Sequence, residues 1–212
     1  MNEYDVYVFD LDGTLLSTLD DLTACTNFAL RTNGLPERSA DEVRRFVGNG
    51  VLRLMQLAVP GGQENPKFDI TYKTFREYYL KHSQDSTKPY PGIIEMLTEL
   101  RRRGKRVAVV SNKFYAATRE LCDHFFGGLV EVAIGERDDI RRKPAPDSVE
   151  EALRQLGVQK SNAVYIGDSD VDIATARNCG LPCVSVLWGF RDKEFLAEHG
   201  ATTFISLPSE LL

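Results

Sequence analysis

The sequence predicts an α/β fold, a Rossmann-like parallel sheet core with a small inserted all-helical cap domain. Three observations predict it. Short apolar, β-branched runs alternate with amphipathic segments of helical length, as in βαβ units whose strands are covered on both faces. Residues 17–85 interrupt that alternation with helical patterns alone. Polar residues gather at the C-terminal ends of three runs, the edge at which open parallel sheets bind ligands.

In chain order, the first run is "YDVYVFD" at 4–10, closed by Asp10 and followed by Asp12 and Gly13. The insert then reads as four helices, "TLDDLTACTNFALRTNG", "SADEVRRFVG", "GVLRLMQLAV" and "FDITYKTFREYYLKHS". Breakers separate or follow them at Gly34-Leu35-Pro36, at Pro60-Gly61-Gly62 and at 83–92. Beyond it come the runs "RVAVVSN" (106–112), "VEVAI" (130–134), "AVYIGD" (163–168), "CVSVLW" (183–188) and "TTFI" (202–205). Between the runs lie "GIIEMLTELRRRG", "YAATRELCDHFF", "DSVEEALRQLG" and "DVDIATARNCG". Asp147 followed by Glu150 suggests a capping-box start for one helix, and Gly157 and Gly180 sit where helices should stop. The expected division is a discontinuous core, 1–16 and 86–212, with a cap at 17–85. Since the insert begins just after the aspartate pair, it is expected above the place where those carboxylates emerge.

Composition narrows the function classes. A chain of 212 residues, 42% hydrophobic and 27% charged, reads as an ordinary globular protein. A net charge of −5 gives no support to nucleic-acid or anionic-membrane partners. It is compatible with a small phosphorylated metabolite, which needs only local positive charge. Cys25, Cys122, Cys179 and Cys183 form no CxxC pair and no zinc spacing, so they read as buried thiols in a reducing compartment. His82, His124 and His199 are scattered and suggest neither a histidine metal site nor a triad. "MNEYD" leads directly into the first strand without leader features, and no apolar run has the length of a membrane span. A cytoplasmic protein, monomer or small homo-oligomer, is expected.

The chemistry concentrates at the strand ends. The first run supplies Asp10 and Asp12, the second Ser111-Asn112, and the third Gly167-Asp168 with Asp170 and Asp172 following, while Lys143-Pro144 precedes the helix near 147. Converging acids repel one another unless a cation shares their site. Mg²⁺ suits them, as a hard ion that bridges carboxylates to substrate phosphate. A carboxylate can attack phosphorus to give an aspartyl-phosphate. A second acid nearby can protonate the leaving alkoxide and later activate water. Lys143, Ser111 and backbone amides can stabilise charge on the transferring group. Spacing of two aims both aspartates at one centre, and Gly13 lets the chain bend away.

Motif by motif these residues resemble the haloacid dehalogenase-like hydrolase superfamily: "DLDGT" its first motif, Ser111-Asn112 its second, Lys143 its third and "GDSDVD" its fourth. The resemblance spans the whole chain. The C-terminal "WGFRDKEFLAEHGATTFISLPSELL", "SNK" at 111–113 and "FVGNGV" in the insert look like the phosphoglycolate phosphatase-like branch. It implies Asp10 as nucleophile and Asp12 as general acid/base, with Mg²⁺ held by Asp10, the Asp12 carbonyl and Asp168, and Asp172 supporting the metal shell. An aspartate at 12 sets the chain apart from the dehalogenase and phosphonatase branches. Ser17 stands where relatives often carry a later aspartate.

By that resemblance the expected activity is Mg²⁺-dependent hydrolysis of a small phosphate monoester, 2-phosphoglycolate the best guess. A pyrophosphatase or sugar-phosphate mutase would share the core motifs. A binding protein that lost the chemistry would be expected to have replaced Asp10, Asp12, Lys143 or Asp168, and all four are present. Gly48-Asn49-Gly50 reads equally as a break between helices and as a substrate contact, and Lys113 is open in the same way. Asp170 reads as a helix-start residue, Trp188 as a packing residue, and Arg141 and Arg142 as solvated charges.

Overall fold

The structure is a computed structural model that describes residues 4–212. Met1, Asn2 and Glu3, where the segment read as lacking a leader begins, lie outside the described residues. The chain forms two compact units, Met1–Leu16 with Pro89–Leu212, and Ser17–Lys88. The strands are β1 (Val6–Phe9), β2 (Leu16–Ser17), β3 (Lys88–Pro89), β4 (Arg106–Phe114), β5 (Val132–Glu136), β6 (Ala163–Gly167), β7 (Cys183–Val186) and β8 (Phe204–Ile205). The helices are α1 (Leu19–Thr32), α2 (Ala40–Phe46), α3 (Gly50–Ala58), α4 (Phe68–His82), α5 (Ile93–Arg102), α6 (Tyr115–Phe126), α7 (Asp147–Leu156), α8 (Asp170–Cys179) and α9 (Lys193–Glu198).

Six strands form one sheet in the order β5-β4-β1-β6-β7-β8, with parallel ladders throughout. β2 and β3 make a separate two-stranded sheet at the two passages between the units. From β1 the chain moves out to β4 and β5, then returns to β6, β7 and β8 on the other side. That reversal opens a crevice at the C-terminal ends of β1, β4 and β6. Period-two alternation builds a core on each face. Tyr7, Phe9, Val107, Val109, Val164 and Ile166 pack with α5 and α6 residues such as Ile93, Leu97 and Leu121. Val6, Val8, Ala108, Val110 and Tyr165 pack with α7 and α8 residues such as Val149, Leu153 and Ala176. Cover on both faces is why the strands read as continuous apolar runs.

The structure differs from the sequence reading at several points: the run read at 130–134 is a strand at Val132–Glu136, and the last two runs give the shorter strands Cys183–Val186 and Phe204–Ile205. The reading ends the second run at Asn112, whereas β4 continues to Phe114 and its register against β5 shifts between Val110 and Phe114. The expected capping box at Asp147 does not form. Pro146 is the N-cap and brings no side-chain acceptor, and the Asp147 carboxylate instead accepts from Arg141 Nε and Nη2 at 3.0 and 2.8 Å. A bidentate guanidinium is the stronger partner. Helix α9 interrupts the tail, capped by Asp192, whose side chain accepts from the Phe195 N–H. Gly157 and Gly180 do end helices, at φ +67° and +66°.

Within Ser17–Lys88, Phe28 of α1 stacks on Tyr78 of α4 at 3.7 Å between centroids. Buried Asp21 accepts from the Ser86 and Thr87 N–H groups, and α2 carries a capping box from Ser39 and Glu42. Gly48 (φ +127°) and Gly50 (φ +79°) flank Asn49 at the turn from α2 into α3. No helix among the described residues is long and apolar enough to cross a membrane.

Candidate active site

The site begins one residue beyond β1. The Asp10 N–H donates to the Ile166 carbonyl at 2.9 Å, prolonging the sheet ladder, and this fixes the Asp10 side chain at the strand end. Its Oδ1 accepts from the Leu11 N–H at 2.7 Å and lies 2.9 Å from Lys143 Nζ. The chain then turns at Gly13, φ +84°, where a Cβ would stand 2.3 Å from Asp168 Oδ2. Conformation and space both require glycine there. Thr14 closes the turn: its hydroxyl donates to Asp168 Oδ1 at 3.1 Å, and its carbonyl accepts from Trp188 Nε1 at 2.9 Å. Trp188, packed against the core, thereby braces the loop carrying both aspartates.

Asp168 and Asp172 sit at the start of α8. Ser169 is the N-cap; its Oγ accepts from the Asp172 N–H and donates to Asp172 Oδ2 at 2.6 Å. The Asp168 and Ser169 amides also donate to Oδ2, at 3.2 and 3.1 Å. Oδ1 of Asp172 takes Lys143 Nζ and the Tyr165 hydroxyl, both at 2.9 Å. A Cβ on Gly167 would lie 2.4 Å from the Asp172 Cβ, so the strand end must be glycine for α8 to start this close. The Phe190 N–H donates to Asp168 Oδ2 at 2.7 Å.

One carboxylate oxygen from each of Asp10, Asp168 and Asp172 lies within 4.8 Å of the other two. All three side chains are buried, and the Lys143 ammonium stands among them. Burial, then the Asp172 charge, drives the Asp10 carboxyl well above its ordinary range against the pull of Lys143. The same two causes push Asp168 up to about 7. Burial alone would lower the Lys143 pKa, but the charges of Asp10 and Asp172 outweigh it and hold the ammonium charged. Burial and Asp172 likewise keep Tyr165 a neutral phenol, its pKa well above the usual value.

Asp12 stands apart from that cluster. Its Oδ1 lies 3.1 Å from the buried Lys113 Nζ and makes no hydrogen bond. The two aspartates of the first motif are thus served by different lysines. Ser111 and Asn112 fall on the irregular end of β4. The Ser111 Oγ accepts from the Lys113 N–H at 3.2 Å, and Asn112 Nδ2 donates to the Lys143 carbonyl at 3.1 Å. Within one unit the structure therefore gathers Asp10, Asp12, Ser111, Asn112, Lys113, Lys143, Asp168 and Asp172. Gly48, Asn49 and Gly50 belong to the helical unit.

The donor set fits a hard divalent cation. Three buried carboxylates share the site with one lysine, which pairs with Asp10 and Asp172; this leaves excess negative charge in a dry place, and oxygen donors are what Mg²⁺ prefers. Among the three, Asp172 has both oxygens engaged by five donors, while Asp10 and Asp168 have fewer.

Several contributors escape sequence reasoning. Thr14 stands inside the quoted motif without a role, and Ser169 is recognisable only as a helix cap. Tyr165 carries a signal, since a phenol in a buried run needs a partner for its hydroxyl. The Phe190 amide carries none.

A family model described as haloacid dehalogenase-like hydrolase matches residues 7–186. The chain is 33% identical over 187 residues to a phosphoglycolate phosphatase of Aquifex aeolicus, covering 87% of this chain and 85% of the relative. A phosphoglycolate phosphatase of Rhodobacter capsulatus is 36% identical over 190 residues, covering 87% and 84%. A crystal structure from Lactobacillus delbrueckii subsp. bulgaricus superposes with a TM-score of 0.94 at 35% identity, covering 99% of this chain and 97% of the other.

Proposed function

The chain belongs to the haloacid dehalogenase-like hydrolase family, and on that premise we propose that it hydrolyses a small phosphate monoester, 2-phosphoglycolate, through a phosphorylated Asp10. The observation that carries the reading is the pairing of two strand-end acids with separate lysines, Asp10 with Lys143 and Asp12 with Lys113. Asp10 is held against the buried Lys143 ammonium, a cation suited to a phosphoryl group, and Asp12 faces the Lys113 ammonium through an oxygen that makes no hydrogen bond. The choice of substrate is supported by relatives named phosphoglycolate phosphatase.

In the first half-reaction an Asp10 carboxylate oxygen bonds to phosphorus while the bond from phosphorus to the ester oxygen breaks. The electron pair leaves with that oxygen, which takes a proton from Asp12. In the second, Asp12, now a carboxylate, takes a proton from water; the water oxygen attacks phosphorus and the bond to Asp10 breaks, releasing inorganic phosphate. Lys143 balances charge on the transferring phosphoryl oxygens, joined by the Ser111 hydroxyl and amides at the end of β4. Asp10, Asp168 and the Asp12 carbonyl would hold Mg²⁺. When bound, the ion supplies further charge neutralisation and fixes the phosphate orientation. Because five donors already occupy Asp172, we assign it to holding Lys143 and the α8 turn.

The test is phosphate release with Mg²⁺ from 2-phosphoglycolate, pyrophosphate and β-glucose 1-phosphate, with Asp10→Asn in parallel. The expected result is a preference for 2-phosphoglycolate and a loss of at least about 10³-fold in kcat in the variant. A preference for pyrophosphate or the sugar phosphate would keep the chemistry and replace the substrate. Equal rates in wild type and variant would overturn the reading.

A further inference from the structure

We propose that Tyr165 is a positioning residue for phosphoryl transfer, one that aims the Lys143 ammonium at Asp10. The proposal rests on the phosphatase reading above. Tyr165 lies in the middle of β6, fully buried, on the face covered by α7 and α8. An apolar residue would fill that strand position as the pattern demands, so the hydroxyl needs another explanation. Its partners are both site groups: Asp172 Oδ1 at 2.9 Å and Lys143 Nζ at 3.0 Å. The ammonium is 5.7 Å from the ring centroid. It therefore meets the hydroxyl end and not the ring face, and the contact is a hydrogen bond more than a cation–π interaction.

Donor accounting sets the directions. An ammonium has three N–H donors and no acceptor, whereas a phenol has one donor. Lys143 must therefore donate to the Tyr165 oxygen, and Tyr165 must give its own proton to Asp172. The three N–H groups of Lys143 are then assigned to Asp10 Oδ1, Asp172 Oδ1 and Tyr165 Oη. Two of those acceptors belong to the rigid frame: Tyr165 to a central strand, and Asp172 to a helix start locked by Ser169 and the Asp168 amide. Only the third N–H points to the carboxylate that receives the phosphoryl group. Without the hydroxyl, one N–H loses its acceptor in a nearly dry site, and the ammonium reorients at the expense of the contact with Asp10.

The test is Tyr165→Phe in the full chain with Mg²⁺ and 2-phosphoglycolate, which keeps the ring and removes only the oxygen. The expected result is a fall of about ten-fold in kcat, the size of one hydrogen bond to a charged group, with KM within about two-fold. Placed in a Lys143→Met background, the same change should leave the residual rate unaltered, because the route through the lysine is already gone. Unchanged kcat would overturn the proposal, and so would an equal fractional loss with and without Lys143. Asp10→Asn separates the two levels. If it is inert while Tyr165→Phe runs at full rate, only the role of Tyr165 fails; if it keeps full activity, the phosphatase reading fails and takes the proposal with it.

Discussion

At the residue scale, the proposed reaction makes Asp12 and its lysine the groups that meet the leaving group. In the proposed reaction Asp12 serves the departing oxygen, and the Lys113 ammonium is 3.1 Å from it. On that proposal a carboxylate one carbon away from that oxygen, as in 2-phosphoglycolate, would meet the charge of Lys113. Lys113→Met should therefore lower kcat/KM for 2-phosphoglycolate by about 10²-fold, the worth of one buried charge-assisted contact. The loss for ethyl phosphate, which has no carboxylate, should stay within a few-fold. Equal losses on both esters would assign Lys113 to holding Asp12 alone. The acids and Lys143 were legible in the sequence because their order and strand-end positions repeat a known pattern. Tyr165 was not, since its ring satisfies the rule for a buried strand while its hydroxyl partners lie 22 and 7 residues away in sequence. The amide that binds Asp168 was invisible for a simpler reason: every residue but proline offers an N–H, and only the folded loop decides that Phe190 delivers it.

At the scale of elements, the site depends on how β4 ends and how α8 begins. The register shift after Val110 frees the end of β4 from regular pairing, where Ser111 and Asn112 sit. Helix α8 starts with a reciprocal cap in which Ser169 and Asp172 each satisfy the other's backbone. Ser169→Ala should lower stability by about 1 kcal/mol, typical of a lost N-cap, read as a lower urea midpoint with unchanged slope. It should also reduce kcat, since Asp172 loses its shortest contact; a stability loss with full activity would show that the backbone amides alone hold Asp172. Most elements were legible because period-two runs and amphipathic segments alternate cleanly. The Asp147 cap was misread because a sequence shows a helix-start residue but not the arginine six positions earlier that claims its carboxylate. Helix α9 was missed because its six residues are too short to express a periodicity.

For the molecule as a whole, the reversal of strand order at β1 concentrates buried negative charge at one point, and stability must answer to pH and to cations. The Asp168 carboxyl moves from 3.8 to about 7 in the folded chain, and Asp10 rises as well. Between roughly pH 4 and 7 the folded state therefore binds protons that the unfolded chain has released, and stability falls as pH rises through that window. Protons and a divalent cation compete for the same oxygens. The Tm of EDTA-treated protein should decline from about pH 5 to about pH 8, and the gain from saturating MgCl₂ should grow over the same range. A gain independent of pH would place the cation away from Asp168. The central place of β1 has one more consequence, for the chain during its synthesis. Val6–Phe9 leave the ribosome before both of their partner strands, β4 and β6, and β6 is complete only at Gly167. At ribosomal speeds that wait is on the order of ten to thirty seconds. Ser17–Lys88, contiguous in sequence, can fold meanwhile, whereas β1, buried along its whole length in the finished sheet, still waits for its second partner, and the nascent chain exposes its chaperone-binding hazard before its catalytic aspartate has a site to serve.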